Sequence, residues 1–151
     1  MKLLKYLILA LTTMVGMGTA RAQLGNLATM TPNYAYSGGS FTAASQNGPT
    51  INLGGLAYAT VQVKGTATAF GGVVQGSNDG GATWYALPYV SYASSTPTTV
   101  IAPSTTAITA TGLYGVALAG LTNVRFATTS ATYTGGSITV NIVASANTRV
   151  F

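Results

Sequence analysis

Ser77-Asn78-Asp79-Gly80-Gly81-Ala82-Thr83-Trp84 is the one stretch of this chain whose residue types and spacing carry a specific chemistry. Asp79 is the only acidic side chain in 151 residues, and the chain contains no Glu, His or Cys. A short carboxylate in a tight turn accepts backbone N–H groups, and the glycines beside it take angles closed to other residues. Trp84 is placed to pack against the base of the turn. The chemistry implied is therefore structural. General acid–base catalysis needs a titratable group tuned near the working pH, and paired-carboxylate mechanisms need a second acid. Zinc and copper want imidazole or thiolate, and calcium wants several carboxylates. A Ser–Lys or Tyr–Lys pair would need a signature around Lys64, the only lysine after residue 5, and none is present. We expect no catalytic residue, no metal and no cofactor.

The elements that must hold this turn are strands. Ala59, Val61 and Val63 share one face of an alternating segment and Thr60, Gln62 and Lys64 the other. Tyr114, Val116 and Leu118 repeat the pattern, Gly120 turns the chain into Val124, Phe126 and Thr128, and Ile138, Val140, Ile142 and Ala144 point inward on the last long strand. Alternation of this kind, punctuated by Gly, Pro, Asn and Ser, predicts an all-β antiparallel sandwich, jelly-roll-like, over residues 50–151. Gly71-Gly72 and Gly135-Gly136 each read as the turn of a hairpin. Two such units are too few for a solenoid or a propeller.

The turn from Ser77 to Trp84 matches the S-x-D-x-G-x-T-W pattern of the Asp-box hairpin, with Ser77, Asp79, Gly81, Thr83 and Trp84 on the defining positions. In families where that hairpin recurs, sialidase-like propellers included, it stabilises the fold away from the chemistry, which implies the same for Asp79. A wider resemblance covers about Thr50 to Ala146. The succession G-G-V-V-Q-G-S-N-D-G-G-A-T-W-Y-A-L-P, then L-Y-G-V-A-L-A-G-L-T-N-V-R-F, then G-G-S-I-T-V-N-I-V-A-S resembles small β-sandwich virion or tail-associated proteins of tailed phages and prophages. That resemblance implies a structural or receptor-facing role.

Residues 1–22 read as a signal peptide: Lys2 and Lys5, an apolar stretch from Tyr6 to about Gly18, then Ala20-Arg21-Ala22 before Gln23. The run is too short for a membrane span, so no stable span is expected after cleavage. Without the signal the cations are Lys64, Arg125 and Arg149 against Asp79, a net of +2. No basic cluster remains to track phosphates, so nucleic acid is not an expected partner. Residues 23–49, rich in Gly, Ser, Asn, Ala and Tyr, read as an extended leader able to add to a neighbour's sheet edge. The terminal Phe151 invites comparison with an outer-membrane barrel, but the strands are too few and too broken by glycine.

Tyrosines carry the surface reading. Tyr34, Tyr36, Tyr89, Tyr92 and Tyr133 lie in leader or loop-like context, and a tyrosine offers a flat apolar face with a polar tip at low entropy cost. Tyr89 and Tyr92, bracketing Val90-Ser91 before the Ser94–Pro97 loop, are the first binding candidates, with Tyr34 and Tyr36 behind them. The function expected is a non-catalytic, exported structural or adhesive subunit of an extracellular or virion-like assembly, associating with itself or with other surface or virion proteins. The alternative is a secreted monomeric carbohydrate-binding module, whose partner is a glycan.

Overall fold

The computed structural model describes residues 33–92, 103–129 and 133–146. The expected signal peptide over 1–22, residues 23–32 of the expected leader, the Ser94–Pro97 loop and Phe151 lie outside the described residues. Among the described residues nine strands are present: β1 (Asn33–Phe41), β2 (Ile51–Asn52), β3 (Tyr58–Gly65), β4 (Gly72–Ser77), β5 (Tyr85–Ala86), β6 (Tyr89–Tyr92), β7 (Gly112–Ala117), β8 (Asn123–Thr128) and β9 (Ile138–Ser145). Among the described residues no helix is long and apolar enough to cross a membrane.

The strands form two antiparallel sheets, ordered β1-β9-β3-β7-β6 and β2-β8-β4-β5. Their pairing follows the chain inward from both ends: β1 with β9, β2 with β8, β3 with β7 and β4 with β5. The chain is thus a long hairpin rolled up so that successive pairs fall in alternate sheets, the jelly-roll form of a sandwich. β3 and β4 close the rolled sheets by pairing also with β9 and β8, and β6 extends the first sheet beyond β7. Asn33 lies opposite Ser145, so the two ends of the described fold sit side by side.

Because strand side chains alternate, each strand turns one row toward the other sheet. Ala59, Val61 and Val63, then Tyr114 and Val116, then Val124 and Phe126, then Ile138, Val140, Ile142 and Ala144 are all buried, and Phe41, Leu53, Ile108 and Leu118 join them. Full burial of one such aliphatic or phenyl side chain contributes about 1.5–3 kcal/mol, which makes this row the main stabilising term.

Two expectations are corrected. The segment read as a leader is part of the sandwich from Asn33 onward: β1 pairs with β9 from Asn33↔Ser145 to Phe41↔Ile138, and Phe41 is 1% exposed. Its period-two pattern is broken by an irregularity between Ser37 and Gly39: Tyr34 and Tyr36 stand opposite Ala144 and Ile142, and beyond it Gly39 and Phe41 stand opposite Val140 and Ile138. The two glycine pairs do not close hairpins either. β3 and β4 belong to different sheets, as do β8 and β9, and the connections between them cross from sheet to sheet. Those connections pair with each other instead: Thr68 N donates to Thr134 O at 2.9 Å and Thr134 N to Ala69 O at 2.9 Å.

Candidate functional site

β4 and β5 pair through Gln75↔Ala86 and Gly76↔Tyr85, and residues 78–84 connect them. Ser77, 1% exposed, organises this connection: its Oγ accepts from Gly81 N at 2.9 Å and donates to Asp79 Oδ1 at 2.6 Å. The same carboxylate oxygen accepts Thr83 N at 2.9 Å. Gly80 and Gly81 have φ of 74° and 94°, where a side chain would be strained. Trp84 lies against Gly81 and stacks with the Arg125 guanidinium, 4.2 Å from the ring centroid. Arg125 in turn donates from Nε to Gln75 Oε1 at 2.8 Å. Ser77, Asp79 and Trp84 are therefore turned on the loop itself or on Arg125 of β8.

The Ser77 hydroxyl, then the Thr83 amide, hold the Asp79 carboxyl well below the usual carboxylate range. Since the folded value is depressed, the stabilisation exists above the unfolded value of about 3.9 and is lost as pH falls through the folded one. With no Glu, His or Cys in the chain, melting temperature is expected to stay level from about pH 5 to pH 9 and to decline below about pH 4. Asp79→Ala should lower the melting temperature at neutral pH by a few degrees and flatten the acid decline. Calorimetry across pH checks both, and an identical acid limb in the two proteins would show that Asp79 does not tie the turn.

The four tyrosines offered as binding residues do not converge. Tyr89 and Tyr92 lie in β6, not in a loop, and they face opposite ways: Tyr89 is opposite Val116 on the inner face, Tyr92 opposite Leu113 on the outer. Tyr89 packs edge-on against Tyr114 with centroids 5.3 Å apart, and burial, with Tyr89 adding to it, pushes the Tyr114 phenol above its ordinary value. Tyr36 packs against the core from β1, and Tyr34, 48% exposed, lies 6.4 Å from it between ring centroids. Tyr133 donates to Phe41 O at 2.7 Å and closes the end of the sandwich.

The outer face of the five-stranded sheet gathers residues that no motif singled out. Strand register places Ser37, Asn141, Gln62, Leu113 and Tyr92 in one row across all five strands. At a strand spacing of 4.7–4.9 Å that row spans roughly 19 Å. Val143, Thr60, Gly115 and Val90 form the next row. Leu113, Val143 and Tyr92 are large apolar side chains left exposed on this face. Tyr92 reaches across β7 so that its hydroxyl meets that of Tyr58, a contact that only a glycine at 115 leaves room for. Beside it, Gln62, Lys64, Tyr92, Thr111 and Leu113, with Val63 and Gly112, line an open depression of about 490 Å³. The polar alternation Thr60-Gln62-Lys64 was the available signal, but it identifies a wet face and not which strands flank it.

No family model matches this chain, and no curated protein does. Two solved structures share its fold. The SPBc2 prophage-derived protein YomS matches with a TM-score of 0.61 at 19% identity, over 77% of this chain and 96% of its own. The PBSX exported protein XepA matches with a TM-score of 0.59 at 18% identity, over 76% of this chain and 38% of its own, so the chain corresponds to part of XepA. At such identities the likeness is one of fold: this chain has the β-sandwich architecture found in a prophage-derived protein and in an exported protein.

Proposed function

We propose that this protein is a non-catalytic, exported structural or adhesive subunit of a phage-like extracellular or virion assembly. The observation that carries the reading is the edge of β1, which pairs on one side only among the described residues. This nine-residue strand, Asn-Tyr-Ala-Tyr-Ser-Gly-Gly-Ser-Phe, ends the five-stranded sheet and contains neither a charged residue nor a proline. Edge strands of soluble monomers are usually guarded by such residues, because unpaired N–H and C=O groups invite another strand. The sheet fold shared with the prophage-derived protein YomS and the exported protein XepA, and the signal-like residues 1–22, support the same reading.

Light scattering coupled to size exclusion tests it. The exported chain, expected to begin at Gln23, should elute as an oligomer, and Ala35→Lys on β1 should shift it toward monomer without loss of fold. A wild-type monomer retarded on polysaccharide gels would replace this reading with that of a carbohydrate-binding module.

A further inference from the structure

The geometry points to a binding site for an anionic saccharide in the depression where Lys64 and Gln62 of β3 face Tyr92 and Leu113 across the outer sheet. Charge is the first argument. Among the described residues the cations are Lys64 and Arg125, and Arg125 is committed to Gln75 and Trp84. Asp79, the only acidic side chain of the whole chain, is held by Ser77 and Thr83 in the loop after β4, which belongs to the other sheet. Lys64 therefore has no acidic side chain of its own sheet to pair with, and an anion at this place meets no carboxylate side chain that would repel it.

Shape and chemistry set the ligand class. Tyr92 is 37% exposed and its hydroxyl is tied to that of Tyr58, so the ring is placed in advance and costs little to order. Leu113, 41% exposed, adds apolar area beside it. The Gln62 amide offers two donors and an acceptor, and Thr111 offers a hydroxyl. An apolar ring face beside amide and hydroxyl groups suits the C–H face and hydroxyls of a sugar, and one ammonium suits one acidic substituent. A single cation is too little to follow a phosphodiester chain. This inference rests on the exported, non-catalytic reading but not on the oligomeric state, so its outcome is separate from that of the size-exclusion experiment.

Amide-resolved NMR titration of the full chain with trigalacturonate, a sulfated trisaccharide and maltotriose tests it. Either acidic sugar should bind saturably with a dissociation constant of about 1 mM or tighter and move the amides of Gln62, Lys64, Tyr92 and Leu113. The comparison of the two acids tells carboxylate from sulfate. Maltotriose should bind at least about tenfold more weakly, and Lys64→Gln should cost the acidic sugar about tenfold while Lys64→Arg retains it. Tyr34→Ala, remote from the depression, should leave binding unchanged. Equal affinity for maltotriose, an unaffected Lys64→Gln protein, shifts centred elsewhere, or no saturable binding by either acid would each overturn the proposal.

Discussion

A chain that begins at Thr50 is expected to be unfolded or aggregated at room temperature, whereas one that begins at Asn33 should fold. The compact unit starts at Asn33. Truncation to Thr50 removes β1 and with it the whole partner of one side of β9. It also removes Phe41, whose ring lies 5.4 Å from that of Phe126 and whose carbonyl accepts the Tyr133 hydroxyl. Losing a buried phenyl alone costs about 3–5 kcal/mol, against a total stability of about 5–15 kcal/mol for a typical domain. Further losses follow in the connection to β2, where Gly48 N donates to Phe126 O at 2.8 Å and Gln46 N to Thr128 Oγ1 at 2.8 Å. Circular dichroism and thermal melting distinguish the outcomes. A cooperatively melting chain from Thr50 would return residues 33–49 to the status of a dispensable leader.

Gly72→Ala is expected to cost much stability for one added carbon. A Cβ at Gly72 would stand 2.1 Å from Phe126 Cζ and 2.7 Å from its Cε1. Phe126 is fully buried and already packed against Phe41, so it has nowhere to retreat. Overpacking of this kind costs about 1–3 kcal/mol, and more where neighbours cannot shift. The cause is steric and local, which gives a sharper test. Combining Gly72→Ala with Phe126→Leu should recover part of the loss, with a coupling of at least about 1 kcal/mol in a double-mutant cycle. Additive losses in chemical denaturation would show that the two positions do not share one space.

The two sheets were legible because burial on one side imposes a period of two, and the inner rows of β3, β8 and β9 show it without interruption. β2 and β5 are two residues each, too short for any period to register. Hairpins were expected at the paired glycines because Gly permits tight reversals, but a rolled long hairpin spends its turns on crossing between sheets. Gly72 illustrates the difference: it lies within β4 and is small because Phe126 needs the space. The spacing of Ser77, Asp79 and Thr83 translates directly into local hydrogen bonds, since all three lie within seven residues. The outer-face depression could not be read in this way. Lys64, Tyr92 and Thr111 are brought together by register between strands distant in sequence.

The meeting of Asn33 with Ser145 sets how this domain bears load. Antiparallel hydrogen bonds run perpendicular to their strands. Tension applied between those two ends acts along the bonds and opens the β1–β9 ladder one rung at a time, where tension from opposite ends of the strands would have to shear all rungs together. In a pulling experiment on the two ends, β1 is the first element to leave. A domain tethered at both ends within one filament would yield at low force, whereas one held by a single end, or by the face of its sheet, would be spared that weakness.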